Sequence, residues 1–205
     1  TMKTAIVTDS NSEISQSEAN RLGVFVLPMP VIIDGHAYYE GLDLLSDQFF
    51  LALTQHRAVS TSQPSPGDVT ALWDRVLSEY DELVYIPMSS GLSSSCATAK
   101  ILAKDYAGKV FVVDNHRISV TQKASVLDAL ALREEGVGAW EIQQELEDSA
   151  FDSIIYIGVE TLEYLRKGGR VTARTAAIST VLQIKPLLKV EGELLDVYAK
   201  VRGTI

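Results

Sequence analysis

Residues 66–106 read PGDVTALWDRVLSEYDELVYIPMSSGLSSSCATAKILAKDY, and the periods within this stretch decide the fold. Val69, Leu72, Trp73, Val76, Leu77 and Tyr80 recur at three- and four-residue spacing, so they share one face of a helix opened by Pro66-Gly67. Leu83 to Met88 is a short apolar run and reads as a buried strand. A second helical stripe follows in Leu92, Cys96, Ala99, Leu102 or Ala103, and Tyr106, halted by Gly108. Upstream, Ala5-Ile6-Val7 is a buried strand running into Asp9-Ser10-Asn11-Ser12, and a helix is expected from Ser15 to Gly23. Val24 to Ile33 is extended but broken by Pro28 and Pro30, which places it at a sheet edge or crossover. Asp34-Gly35 is a turn, and Ser46 is expected to cap a helix carrying Phe49, Phe50 and Leu53. Downstream come a strand at 110–113, helices at 119–135 and 139–149, and a strand at 154–159. Short apolar strands alternating with helices predict an α/β fold, a mainly parallel sheet flanked by helices.

After residue 160 the texture changes. A short helix leads to Leu165-Arg166-Lys167-Gly168-Gly169-Arg170, followed by a helical stretch around 175–183. Pro186–Val190 and Leu194–Lys200 then pair as a hairpin about Glu191-Gly192. Residues 1–160 are thus expected to form an N-terminal α/β domain, and 161–205 the beginning of a second α/β unit that looks truncated.

The 205 residues carry 18 Lys and Arg against 27 Asp and Glu, a net charge of −9, which argues against nonspecific nucleic-acid binding. One cysteine, Cys96, excludes an intrachain disulfide and suits a reducing compartment. No apolar run reaches the ~18 residues of a membrane span, and a soluble cytoplasmic protein is expected.

Ligands of open parallel sheets bind at the carboxyl ends of the strands. Ser89-Ser90-Gly91-Leu92-Ser93-Ser94-Ser95 lies at such an end, where Ser93 and Ser94 are expected to open a helix whose unpaired N–H groups favour an anion. Plain N-capping by serine is the other reading. Thr61-Ser62 precedes the helix at Pro66 and is expected to repeat the arrangement. A nucleophilic role for Ser93 lacks the second glycine of a Gly-x-Ser-x-Gly elbow and would need His116, since His36 reads as surface and His56 as a helix-end residue. Cys96 falls on an apolar stripe and reads as core. Asp9 and Asp114 are either Mg²⁺ ligands or loop caps; no metal-ligand spacing, Walker sequence or dinucleotide fingerprint is present, and no cofactor is expected. Arg166, Lys167, Arg170 and Arg174 form a local basic patch, either solvated or suited to an acidic partner or a phosphate.

Thr61-Ser62-Gln63-Pro64-Ser65-Pro66-Gly67-Asp68, Ser89-Ser90-Gly91-Leu92-Ser93, Leu165 to Arg170 and Lys200-Val201-Arg202-Gly203, together with Val7-Thr8-Asp9-Ser10, resemble the motifs of the bacterial DegV family over essentially the whole chain. The resemblance implies two α/β domains with a long-chain fatty acid held near their junction. It implies that hydroxyls at Thr61 and Ser93 bind the carboxylate, with Ser62, Ser94 and Arg202 beside them. It further implies a carrier, not itself a catalyst, that presents the acid to a separate fatty acid kinase for acyl-phosphate formation and phospholipid synthesis. Arg166, Lys167, Arg170 and Arg174 would then dock the kinase. A serine hydrolase or acyltransferase using Ser93, and a small-anion or phosphate-binding module, are the alternatives. Where the family commonly has Ser-Gly-Thr-Tyr this chain has Ser93-Ser94-Ser95-Cys96, and where it commonly has Gly-x-Gly this chain has Thr121-Gln122-Lys123.

Overall fold

The computed structural model describes residues 2–178 and 184–202. Its centre is a four-stranded sheet of β1 (Thr4–Asp9), β2 (Phe25–Leu27), β6 (Glu82–Ile86) and β7 (Val110–Val112), in the order β2-β1-β6-β7 with every pair parallel. β1 and β6 are buried throughout, as strands covered on both faces must be. Their side chains alternate between the two covering layers. Ala5, Val7, Leu83 and Tyr85 meet α3 (Pro66–Leu77) and α4 (Ser95–Ala103) through Trp73, Val76, Cys96 and Ala99. Ile6, Val84 and Ile86 face the other way, onto α1 (Gln16–Leu22), α5 (Ser119–Glu134) and α6 (Ala139–Asp148).

The helix ends follow their sequence signals. Ser15 accepts from the Glu18 N–H, and Gly23 closes α1 at φ 70°. Ser65 caps α3 by accepting from Asp68 N–H, with Pro66 in the first turn. Ser46 does not cap its helix, α2 (Ser46–Thr54), but begins it. Leu45 stands at the cap position, and its N–H is satisfied by Gln48 Oε1 at 3.0 Å. Leu92 lies outside α4, which starts three residues later, and packs elsewhere.

Two smaller antiparallel sheets flank this body. β2 is an edge strand, and after Pro28 the chain leaves the sheet to build β3 (Pro30–Ile33), β4 (His36–Tyr39) and β5 (Val59–Thr61), ordered β4-β3-β5 beneath α2. The strand expected at 154–159 forms as β8 (Ile155–Gly158), yet it does not join the parallel sheet. It pairs antiparallel with β9 (Ile184–Val190), which pairs with β10 (Asp196–Arg202). Its burial alternates, Ile155 and Ile157 inward against Tyr156 and Gly158 outward, the pattern of a sheet covered on one face only. The second sheet therefore begins before residue 160. Leu188, Val190, Leu162, Val171 and Leu195 form its core, and Leu92 of the first unit inserts among them. Between β8 and β9 lie α7 (Glu163–Lys167) and α8 (Ala173–Ile178); the rest of the helical stretch expected to 183 lies outside the described residues.

Candidate functional site

The turn 89–94 follows β6 and sits at the seam between the two units. Ser89, 1% exposed, donates its hydroxyl to the Gly192 carbonyl at 2.6 Å and accepts from Gly91 N–H at 3.1 Å. Ser89 N–H is held by the Arg117 carbonyl at 2.8 Å, and the Ser89 carbonyl accepts from the N–H groups of Leu92 and Ser93. The turn packs so closely against the β9–β10 loop that a Cβ on Gly91 would lie 2.5 Å from Glu193 Cα. That contact requires glycine. Gly192 at φ 91° is similarly confined, since a Cβ there would stand 2.7 Å from the Phe151 ring.

Beyond Gly91 the seam opens into a cleft of about 240 Å³ lined by Ser90, Ser93, Ser94, Gly169, Arg170 and Leu194 among others. Ser93 Oγ accepts from Ser95 N–H at 3.2 Å. Ser94 occupies the cap position of α4 but makes no side-chain cap bond. Its hydroxyl is therefore not committed to capping. Arg170 reaches over from the second unit, its Nε donating to the Leu92 carbonyl at 3.3 Å and its Nη1 to the Gly168 carbonyl. Serine hydroxyls from one unit and a guanidinium from the other thus share one opening, a donor set suited to an anion with more than one oxygen.

The other residues singled out in the sequence are placed as follows. Thr61 ends β5 opposite Val31 and is exposed. Thr61 and Ser62 do not open a helix, because Ser65 supplies the cap of α3. Ser62 Oγ donates to the Gln63 carbonyl, and Gln63 in turn accepts from Thr98 of α4 at 2.9 Å, tying this segment to the helix that follows Ser93. Arg166 and Lys167 lie on the last turn of α7 rather than in a loop, with Lys167 paired to Glu163 at 2.6 Å. Arg174 is exposed on α8. Arg170 departs from this patch by facing the cleft. Arg202 ends β10 opposite Ile184, and its side chain lies outside the described residues.

His116 stacks on Phe151 with ring centroids 5.3 Å apart, and its Nδ1 bonds the Gly192 carbonyl at 3.2 Å. A carbonyl only accepts, so Nδ1 carries the proton. Burial pushes the Cys96 thiol up to about 12, the nearby Asp114 carboxylate adding to the effect, so this thiol stays protonated as a core residue. Asp9 caps the turn at 10–12 through Asn11 N–H. Among the described residues no group of three or more His, Cys, Asp or Glu side chains is placed to hold a metal ion. No described helix is long and apolar enough to cross a membrane. Sequence reasoning missed the fully buried Gln122, whose amide donates to Thr8, Asp9 and the Ile86 carbonyl. A polar residue on the inner face of α5 was the available signal.

Fold and cleft together define a two-unit α/β protein whose polar pocket lies where the carboxyl end of a parallel sheet meets a second, antiparallel sheet. The chain belongs to the DegV family, whose model, described as one of uncharacterised proteins, matches residues 3–205. A DegV domain-containing protein of Deinococcus radiodurans is 34% identical over 203 residues, 98% of this chain and 72% of that one. Among solved structures, one described as the fatty acid binding of a DegV family protein from Thermus thermophilus superposes with a TM-score of 0.89 at 32% identity, covering 98% of this chain and 72% of that chain. Another, described as DegV, a fatty acid binding protein from Bacillus subtilis, superposes at 0.86 with 26% identity and covers 99% of this chain and 73% of that one.

Proposed function

We propose that this protein binds a long-chain fatty acid, with its carboxylate in the cleft of Ser93, Ser94 and Arg170, and presents it to a separate fatty acid kinase. The observation that carries the reading is the meeting of two serines and an arginine from opposite units at one opening. Charge-assisted bonds from such donors are short and directional, so the head group sets orientation. The tail supplies affinity: at about 0.8 kcal/mol per methylene, about fourteen methylenes give roughly 11 kcal/mol before ordering costs. Leu92, one residue before Ser93, points into the apolar cluster with Leu188 and Leu195, and Met88 and Ile118 pack beside it.

The carrier role and the kinase partnership rest on the family resemblance, and the cytoplasmic location on a single cysteine that suits a reducing compartment. Arg166, Lys167 and Arg174 are exposed basic groups beside the cleft unit, suited to steering an acidic partner surface. A hydrolytic role for Ser93 is less well supported, because among the described residues no hydrogen bond joins Ser93 to His116: Ser93 Oγ meets Ser95 N–H, and the histidine ring bonds the Gly192 carbonyl. Mass spectrometry of an organic extract of the purified protein tests the reading. A co-purified fatty acid at about one per chain supports it; an empty protein that also fails to bind added palmitate overturns it.

A further inference from the structure

Beneath the turn 89–94 lies a buried cluster that ligand contact does not require. Asp9 ends β1 fully buried, at 0% exposure, and among the described residues no cation pairs with it. Its Oδ1 accepts from Asn11 N–H at 3.0 Å, Asn11 Nδ2 at 3.2 Å and Gln122 Nε2 at 3.0 Å. Its Oδ2 accepts from a different place, the N–H of Met88, at 2.9 Å. Met88 is the residue immediately before Ser89, and its sulfur also meets Asn11 Nδ2 at 3.2 Å. Burial pushes the Asp9 carboxyl above its ordinary range, and the four donors oppose that push. Capping of the turn at 10–12 accounts for one donor on Oδ1 and leaves the Met88 bond unexplained. Among the described residues no set of metal ligands gathers here.

We infer that Asp9 is a positioning residue for the carboxylate site, its Oδ2···H–N bond to Met88 fixing where the turn 89–94 presents Ser93 and Ser94. Gln122 is the neutral half of the brace. By holding Oδ1 from the α5 side, together with Asn11, it keeps the carboxylate plane fixed and Oδ2 aimed at Met88. The same Nε2 also donates to Thr8 Oγ1 and the Ile86 carbonyl at 3.2 Å each, which ties the amide to β1 and β6. The turn is then held from below by Asp9 and from above by the Gly192 carbonyl. The inference rests on the fatty-acid reading of the cleft.

Asp9→Asn tests it at constant volume. The amide must either turn its NH₂ against Met88 N–H, donor to donor, or present it to the donors on Oδ1; either way the brace is lost. Affinities for palmitate and for hexadecanol, which has the same tail without a carboxylate, are measured for both proteins, with folding followed by near-UV circular dichroism. Wild type is expected to prefer palmitate, and Asp9→Asn to lower palmitate affinity by about tenfold or more while hexadecanol changes by less than about twofold. Equal losses for both ligands, or no loss for palmitate, would overturn the positioning role. A wild type with no preference for the acid would instead overturn the head-group reading, and this inference with it. Should Asp9→Asn fail to fold, hydrogen exchange at Met88 N–H in the wild type serves in its place. Exchange is expected to slow when palmitate binds and not when hexadecanol does, and the same rate with both would contradict the assignment.

Discussion

The Ser89 hydroxyl donates to the Gly192 carbonyl at 2.6 Å across 103 residues of chain, joining the turn after β6 to the hairpin of the second sheet. His116 Nδ1 bonds the same carbonyl. Ser89→Ala should leave that carbonyl with one partner and cost about 1 kcal/mol of stability. Gly91→Ala should cost more, because its Cβ would stand 2.5 Å from backbone that cannot yield. Urea unfolding of the two variants checks the order, and an equal or reversed order would show the hairpin to be loosely seated.

Trp73 is fully buried between the sheet and α4, edge-on to Tyr85 at 5.5 Å and to Tyr106 at 5.3 Å. Trp73→Ala should destabilise the protein by about 3–5 kcal/mol, as large aromatic truncations in close-packed cores do. Calorimetry of the variant gives the figure directly; a loss under ~1 kcal/mol would mean that this layer repacks.

Asp196 lies on β10, and its carboxyl is held below the ordinary range by the Thr172 hydroxyl and then by its own strand's Val197 N–H. A lowered pKa in the folded state means that the unfolded chain binds the proton more readily. The stability this carboxylate contributes is therefore present above its unfolded value of 3.8 and is lost as pH falls toward the folded one. Asp196→Asn should flatten the acid limb of the stability curve below about pH 4. Thermal midpoints across that range, with identical slopes for the two proteins, would remove Asp196 from the account.

Charge reversal separates docking from binding. Arg166→Glu with Arg174→Glu should slow acyl-phosphate formation by a fatty acid kinase while leaving palmitate affinity within about twofold, since rim charges act mainly on encounter. Arg170 is left out of this pair because it lines the cleft. Kinase-coupled turnover and equilibrium binding on the same preparation decide it; unchanged turnover, or a large loss of palmitate affinity, would move the docking face elsewhere.

What the sequence made legible was local. The stripe Val69, Leu72, Trp73 and Val76 became α3, and the apolar runs at 5–7 and 83–86 became the buried strands β1 and β6, because period and continuity are short-range signals. The strand at 154–159 was legible as a strand, but its one-sided burial and its place in the antiparallel sheet were not. Long-range placements were not. Leu92 continues the spacing of the α4 stripe yet inserts into the second core, since the turn before α4 redirects it. Arg170 sits in a basic run like its neighbours, and only the docking of the second unit turns it toward Leu92. Thr61 and Ser93 each stand in hydroxyl-rich motifs, but one ends a strand and the other precedes a helix. Residue type alone cannot tell those two settings apart.

The central claim is that a fatty carboxylate sits between Ser93 and Arg170. Carbon-13 NMR of palmitate labelled at its carboxyl carbon, bound to the protein and titrated with pH, tests it most directly. Donors from a guanidinium and hydroxyls stabilise the ionised form, so the bound carboxyl should titrate below the free acid. Its resonance should move in both Ser93→Ala and Arg170→Gln. A bound carboxyl that titrates like the free acid, with the same resonance in wild type and both variants, would place the head group outside this cleft.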